Sequence, residues 1–506
     1  MDKFVVRTRV PSDLPQDNRS HTSLEPLENR ASKPKRKESL LAAYEINGRV
    51  LPIFRPSLLK LTLNSYAEFG VIDNYRRYLR HDQPYSASAH VGEEFRRASS
   101  IPGGVSALDF DSKGIYMAAI SSMYLLTIYE FETLYCHAEK GSNDNSRFRD
   151  GNAIPIIFQT RERPLEAVKW NPSNEDEVAC VAAGSKKIYF YDISRVSLSP
   201  SAVLKVKAPH GWGQIGESLG FYDLAFFNDG SSRVLACGRD NHVHIWDRRV
   251  STSASTAHAA PGAGGALNSV DLSKDKQIVY SGSEGGYIYS WDLRGGRQEA
   301  AFVTSSKGYT QPLAAVKIET MLRSIPSLSA QTEISTSAVH SVSLNPACGE
   351  QLAFHLNSGW SGVLDTFTLN ATHLHCPPPP WIERAQDQVD LFGASYPSPA
   401  GDLLLKRVVR RRRPAWLHSW PVYAVGSGSE NKVHMLDFTP GSKSRHSLEH
   451  QRSNVSEDWQ VELRTSDAVL AVAAHPLNDT LVAGCESGKL LLIGQKSASI
   501  SGQETD

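Results

Sequence analysis

The chain has 506 residues, 54 Lys+Arg against 54 Asp+Glu, and a hydrophobic fraction of 40%. That length has room for a large core or several domains, and a formal net charge of zero excludes a global field that would draw the chain to nucleic acid or a membrane surface. No apolar run is long enough to span a bilayer, and the opening MDKFVVRTRVPSDLPQD lacks the sustained apolar stretch of a secretory leader, so a soluble intracellular protein is expected. Cys136, Cys180, Cys237, Cys348, Cys376 and Cys485 lie far apart with no C-x-x-C pair. They read as small buried residues in a reducing compartment, not as a disulfide frame or zinc site.

Residues 1–50 are polar and rich in Ser, Pro and charge, and a disordered arm is expected. Within it Lys33, Lys35, Arg36 and Lys37 form a basic cluster that fits either a nuclear import signal or a solvated charge run. Residues 51–100 read as a helix-loop-helix-like segment. Pro56 starts a helix carrying Leu58, Leu59, Leu63 and Tyr66 up to a stop at Gly70, and Asp73 caps a second with Tyr75, Tyr78 and Leu79.

From residue 101 to 494 the chain repeats itself. The clearest copy, Val234–Arg249 (VLACGRDNHVHIWDRR), predicts a strand, a polar turn and a second strand ending in Trp-Asp. About 45 residues on, Ile278–Arg294 (IVYSGSEGGYIYSWDLR) does the same. Self-similarity at this period with a Trp-Asp ending marks a β-propeller blade, a sheet that buries its two faces only against neighbouring blades. Five weaker copies complete a count of seven: Gly104 onward, LEAVKWNP through Tyr191-Asp192, Ala338–Phe367, the half-blade Pro421–Phe438 split by an insert at Lys406–Trp416, and Ala468–Gly494. Pro377–Pro380 reads as a stiff connector and residues 495–506 as a disordered tail.

These blades resemble the WD-repeat (WD40) family, which implies an all-β, seven-bladed propeller behind the N-terminal arm and short helical segment. No Gly-His dipeptide precedes any blade, so the family's hydrogen-bond network to the Trp must be incomplete or differently built. Val234–Arg249 also resembles the Trp-Asp-x-Arg box of WD substrate receptors for cullin–RING ubiquitin ligases. That resemblance implies docking on the ligase adaptor, the large subunit of the damaged-DNA-binding complex. The positions it assigns are Asp240, Trp246, Asp247 and Arg249, among the small or apolar residues Ala236, Gly238, Val243 and Ile245. In the second copy it assigns Trp291, Asp292 and Arg294, although Gly285 replaces the turn Asp. A strand-end Arg offers a planar donor fork to a partner's carboxylates, and the turn Asp is expected to orient it. The alternative is that the Arg merely pairs with Asp inside its blade.

Arg410, Arg411, Arg412 and Arg413 form the strongest basic cluster, close to Trp416 and Trp420. It fits an anionic-partner site, including nucleic acid, a second import signal, or a solvated loop in blade six. Catalytic signatures are absent: no G-x-S-x-G, H-E-x-x-H, P-loop or dinucleotide fingerprint occurs. His242 and His244 share a strand face and read as ordinary strand histidines, so no metal or cofactor is expected. The expected function is non-catalytic: a substrate-recognition subunit of a cullin–RING ligase in nucleus and cytoplasm, binding the adaptor and an unidentified protein substrate. The alternative is a WD-repeat scaffold of a nuclear chromatin or RNA-processing complex with no ubiquitin link.

Overall fold

The computed structural model describes residues 45–46, 49–50, 55–73, 104–121, 125–139, 156–159, 164–195, 199–206, 220–230, 232–254, 256–261, 264–294, 311–325, 337–376, 411–427, 431–440, 446–448, 459–464 and 467–495. Residues 1–44 of the expected disordered arm, with Lys33, Lys35, Arg36 and Lys37, the second helix after Asp73, Pro377–Pro380, Arg410 and the tail beyond Gln495 lie outside them. The chain divides into two units. In residues 1–55 the described part is a two-stranded hairpin, Glu45–Ile46 with Arg49–Val50.

Residues 56–506 form seven four-stranded antiparallel sheets. Each sheet is one blade, and the first strand of each lines a central channel. The first strands are Val105–Phe110, Leu165–Trp170, Phe221–Phe226, Leu267–Leu272, Val339–Leu344, Ala415–Trp416 and Val469–Ala474. The blades stack face to face, which is why whole strands such as Glu177–Ala182 and Val469–Ala474 are buried at every residue. Trp246 and Trp291, at the ends of the third strands His242–Asp247 and Tyr287–Asp292, are fully buried against the preceding blade. Trp246 packs with Phe190 and Leu204 of blade two, and Trp291 with Ala225 and Phe227 of blade three. Carboxylates then stitch first strand to first strand. Asp109 accepts the Trp170 N–H at 2.7 Å, Asp223 that of Val270 at 3.1 Å, and Asp271 that of Leu344 at 2.8 Å.

Blade seven corrects the expected helix-loop-helix. A helix does form, α1 (Arg55–Ser65), burying Leu59 and Leu63, but it ends before Tyr66. The next eight residues, Tyr66–Asp73, are a strand that pairs with Lys489–Gln495 and supplies the outer edge of blade seven. The reason is the period. From Tyr66 the even-numbered residues Tyr66, Glu68, Gly70 and Ile72 are buried and the odd ones are not, an alternation a helix cannot satisfy. The ring is thereby closed by pairing a segment near the start of the chain with one near its end.

Blade six corrects a second expectation. Lys406–Trp416 is not an insert that splits the blade, because its last two residues, Ala415–Trp416, are the first strand, paired with Val422–Gly426. Two short helices complete the described elements: α2 (Phe131–Glu139) follows the third strand of blade one, and α3 (Ile318–Ser324) the outer strand of blade four. None of the six cysteines forms a disulfide; Cys180, Cys237 and Cys485 are buried as expected, while Cys348 and Cys376 are exposed.

Candidate functional site

In every blade the first and third strands both pair antiparallel with the second, so they run in the same direction. The turn that follows the third strand therefore lies at the same end of the blade as the hairpin joining strands one and two. This end is called the rim below. The opposite end carries the starts of the first strands and the hairpins joining strands two and three.

That geometry separates residues the sequence grouped together. Asp247, Arg249, Asp292 and Arg294 stand on the rim. Asp240 stands at the far end of the third strand His242–Asp247, so it cannot orient Arg249. It is engaged locally instead: one oxygen receives His244 Nε2 at 2.8 Å and Lys186 Nζ of blade two at 3.0 Å. Burial works to raise the Asp240 carboxyl, but the hydrogen bond and charge of His244, joined by Lys186, outweigh it and hold the group well below the usual carboxylate range.

The Trp at the strand end is anchored outside this pair. Trp246 Nε1 donates to the Lys205 carbonyl at 3.1 Å, and the rings of His242, His244 and Trp246 climb one strand face at 5.8 and 5.9 Å spacing. Tyr287, Tyr289 and Trp291 form the same ladder in blade four at 5.7 and 5.8 Å. The small and apolar positions of the box are packing positions. Ala236, Val243 and Ile245 are buried, and a Cβ on Gly238 would sit 2.2 Å from the Gly220 carbonyl oxygen.

The two rim arginines share one geometry. Arg249 Nε and Nη2 donate to the two Asp247 oxygens at 3.1 and 2.9 Å, and Arg294 Nε and Nη2 meet the Asp292 oxygens at 3.0 and 2.9 Å. These hydrogen bonds hold both carboxyls below their ordinary range. The arginines do pair within their own blade, yet their side chains remain 64% and 59% exposed, with Nη1 of each unpartnered among the described residues.

Each of these turns is pinned by its Asp. Oδ1 accepts the backbone N–H two residues on at 3.0 Å in blade three and 2.9 Å in blade four. The same turn recurs at Asp192–Ser194, Asp365–Phe367 and Asp437–Thr439, at 3.0, 3.1 and 3.0 Å. Blades two to six thus present, at one repeated position, Ser194, Arg249, Arg294, Phe367 and Thr439. Sequence reading missed Phe367 because its blade lacks the Trp; the Asp-x-X spacing was the available signal.

The intervening Arg248 was also missed, and its task is internal. It clasps Glu177 of blade two with two bonds of 2.6 and 2.7 Å and lies 4.0 Å over the Phe190 ring.

The rim is also where apolar surface is left bare. Of seven exposed large hydrophobic residues among those described, five stand at this end: Ile115, Val250, Leu313, Phe367 and Leu477. Beside blade one it is indented by a cavity of about 300 Å³ whose lining includes Ile115, Phe131, Tyr135 and His475. Exposed apolar and arginine side chains on one face are the composition of protein-docking surfaces.

Residues Arg411–Arg413 of the basic cluster lie at the other mouth of the channel. Six of the seven first strands skip one residue in their pairing: Ser106, Glu166, Tyr222, Asn268, His340 and Leu470. Such bulges re-aim a side chain. Residues Arg411–Arg413 reach five of these six. Arg411 Nη1 donates to Glu166 at 3.0 Å and Nε to Asn268 at 3.1 Å, with its guanidinium 3.5 Å over the Tyr222 ring. The Arg412 N–H meets His340, and the Arg413 N–H donates to the Leu470 carbonyl. Arg413 also donates to Asp223 at 2.8 Å and to the Tyr222 carbonyl at 2.8 Å. Side-chain exposure is 5% for Arg411 and 15% for Arg413, so neither is open to an anionic partner in this arrangement.

Among the described residues no cluster of His, Cys, Asp and Glu is arranged to hold a metal ion, and no helix is long and apolar enough to cross a membrane. No curated protein matches the chain. The WD domain, G-beta repeat (WD40) family matches residues 214–247 and 254–292, which are blades three and four up to their Trp-Asp endings. The chain thus carries two WD40-type repeats within a seven-bladed β-propeller, an architecture that supports a scaffold for protein interaction.

Proposed function

We propose that this propeller is a substrate-recognition subunit that docks its rim on the adaptor of a cullin–RING ubiquitin ligase, the large subunit of the damaged-DNA-binding complex. The observation that carries the reading is the pair of alike-bonded Trp-Asp-x-Arg turns in neighbouring blades. Each holds a guanidinium exposed, pre-oriented by its Asp and with donors to spare. Pre-orientation lowers the rotamer entropy that docking must otherwise surrender. The bare apolar side chains on the same rim supply the desolvation such a contact needs. The ligase supplies the chemistry, and the opposite face receives the substrate.

The alternative, a chromatin or RNA-processing scaffold acting through its basic cluster, has less to stand on, since Arg411 and Arg413 already neutralise Glu166 and Asp223. The test is direct binding between the purified chain and the purified adaptor, comparing wild type with the Arg249→Ala, Arg294→Ala double variant. Binding by the wild type and its loss in the double variant are expected. Absence of binding, or indifference to the change, sinks the proposal.

A further inference from the structure

We infer that Phe367 is the apolar anchor of the docking rim and that the adaptor receives it in an apolar pocket beside the acceptors that meet Arg249 and Arg294. This inference rests on the reading of the rim as the adaptor-binding face and names a residue that the Trp-Asp-x-Arg resemblance does not include.

The argument starts from the repeated turn. At Ser194 and Thr439 the side-chain hydroxyl returns to the pinning Asp, Ser194 Oγ to Asp192 and Thr439 Oγ1 to Asp437. At Arg249 and Arg294 the guanidinium does the same. Phe367 is the exception. A phenyl ring has no donor to return, and the next residue takes over, with Thr368 Oγ1 donating to Asp365 at 3.0 Å. The ring is left projecting from a fixed turn with 83% of its surface exposed.

A large aromatic side chain in that state gains nothing from folding, because its apolar area stays in water. It contributes nothing to the core of blade five, which is filled by Phe354, Trp360, Leu364 and their neighbours. Its backbone is held by two hydrogen bonds of the turn, Asp365 Oδ1 to the Phe367 and Thr368 N–H groups at 3.1 and 2.8 Å. A rigidly presented aromatic residue one blade away from a rigidly presented arginine, itself one blade from another, matches the composition in which binding energy concentrates. Leu313 is a second exposed apolar side chain on the same rim, in blade four. The partner surface that fits is therefore an apolar depression with carboxylate or carbonyl acceptors to one side. It is not a uniformly acidic patch, because Asp247 and Asp292 already balance the two guanidiniums.

The experiment is titration of purified adaptor into the full chain carrying Phe367→Ala or Phe367→Leu, with Val71→Ala, an exposed apolar residue on the outer strand of blade seven, as the control. Phe367→Ala is expected to weaken binding roughly thirtyfold, the loss typical of a hot-spot aromatic. Phe367→Leu should fall between it and wild type, and Val71→Ala should match wild type. All three should melt as the wild type does, since both positions are exposed. Wild-type binding that Arg249→Ala, Arg294→Ala abolishes but Phe367→Ala leaves intact overturns this inference and spares the proposed function. Equal weakening by Phe367→Ala and Val71→Ala overturns it as well. Failure of the wild type to bind overturns both.

Discussion

Arg249 and Arg413 carry the same side chain to opposite ends of the ring, and their surroundings assign them different tasks. Arg249 is satisfied by an Asp two residues before it, and removing it disturbs one turn. Arg413 reaches Asp223 across the channel, while Arg411 beside it meets Glu166, Asn268 and Tyr222 in three separate blades. A local pair leaves the guanidinium in water and usable by a partner, whereas a long-range pair consumes it in closing the channel. Runs of arginine in a sequence therefore do not by themselves distinguish a binding surface from a core, and the location of the compensating carboxylates does.

The largest test of this contrast is Arg413→Ala. It leaves Asp223 buried without its cation, and the cost should be about 3 kcal/mol. That is the low end for a broken buried pair, because Asp223 keeps its bonds from Ser269 and Val270. Urea denaturation followed by tryptophan fluorescence measures it. Arg248→Ala should come next, at about 2 kcal/mol, since it loses both the Glu177 clasp and the stacking on Phe190 at once. A stability change as small as that of a surface arginine would place Arg248 with Arg249 and erase the distinction drawn between them.

Acid should also act on the interior first. Burial, then the charges of Arg412, Arg411 and Arg413, push the His340 imidazole down to about 3, and burial pushes His258 down to about 4. An imidazole in the unfolded chain titrates near 6.5. Below that value the unfolded state takes up protons that the folded state refuses, so these groups' contribution is complete above about pH 6.5 and is lost as the pH falls. The denaturation midpoint should drop from pH 6.5 toward 4 and steepen no further above 7, and His340→Gln should flatten that slope. The rim responds in a lower window. Asp247 and Asp292 are held below their ordinary range, so both pairs persist where the histidines are already titrating. The smallest effect on stability is expected from Arg249→Ala with Arg294→Ala, whose melting curve should overlay the wild type even as adaptor binding disappears.

Much of the ring was legible because its signals are local. The Trp-Asp endings of blades three and four each declare themselves together with the strand and polar turn that precede them. What was illegible depends on partners far away in sequence. Tyr66–Asp73 shows its period of two, but it follows a helix with no turn signal between, and its partner is Lys489–Gln495. Arg411–Arg413 left an anionic-partner site, an import signal and a solvated loop all open, because the residues that pair with Arg411 and Arg413 belong to blades two and three and carry no local mark. The same holds for Asp240. In sequence it lies seven residues before Asp247, but a six-residue strand separates the two and places them at opposite ends of the blade. Trp246-Asp247 and Trp291-Asp292 close the third strands of two adjacent blades, and Arg249 and Arg294 follow in the turns.

The pairing of Tyr66–Asp73 with Lys489–Gln495 has a consequence for biosynthesis. Tyr66–Asp73 is made before any other strand of the seven blades and must wait, as an unpaired edge, until Lys489–Gln495 has followed. Contacts of such sequence separation form slowly, and an open edge is the part of a sheet most prone to pair with the wrong neighbour. A message cut short just before the codon for Lys489 would thus yield six complete sheets and an unsealed seventh. Loss of the last strand near the carboxyl end should then be as damaging as a break in the middle of the ring.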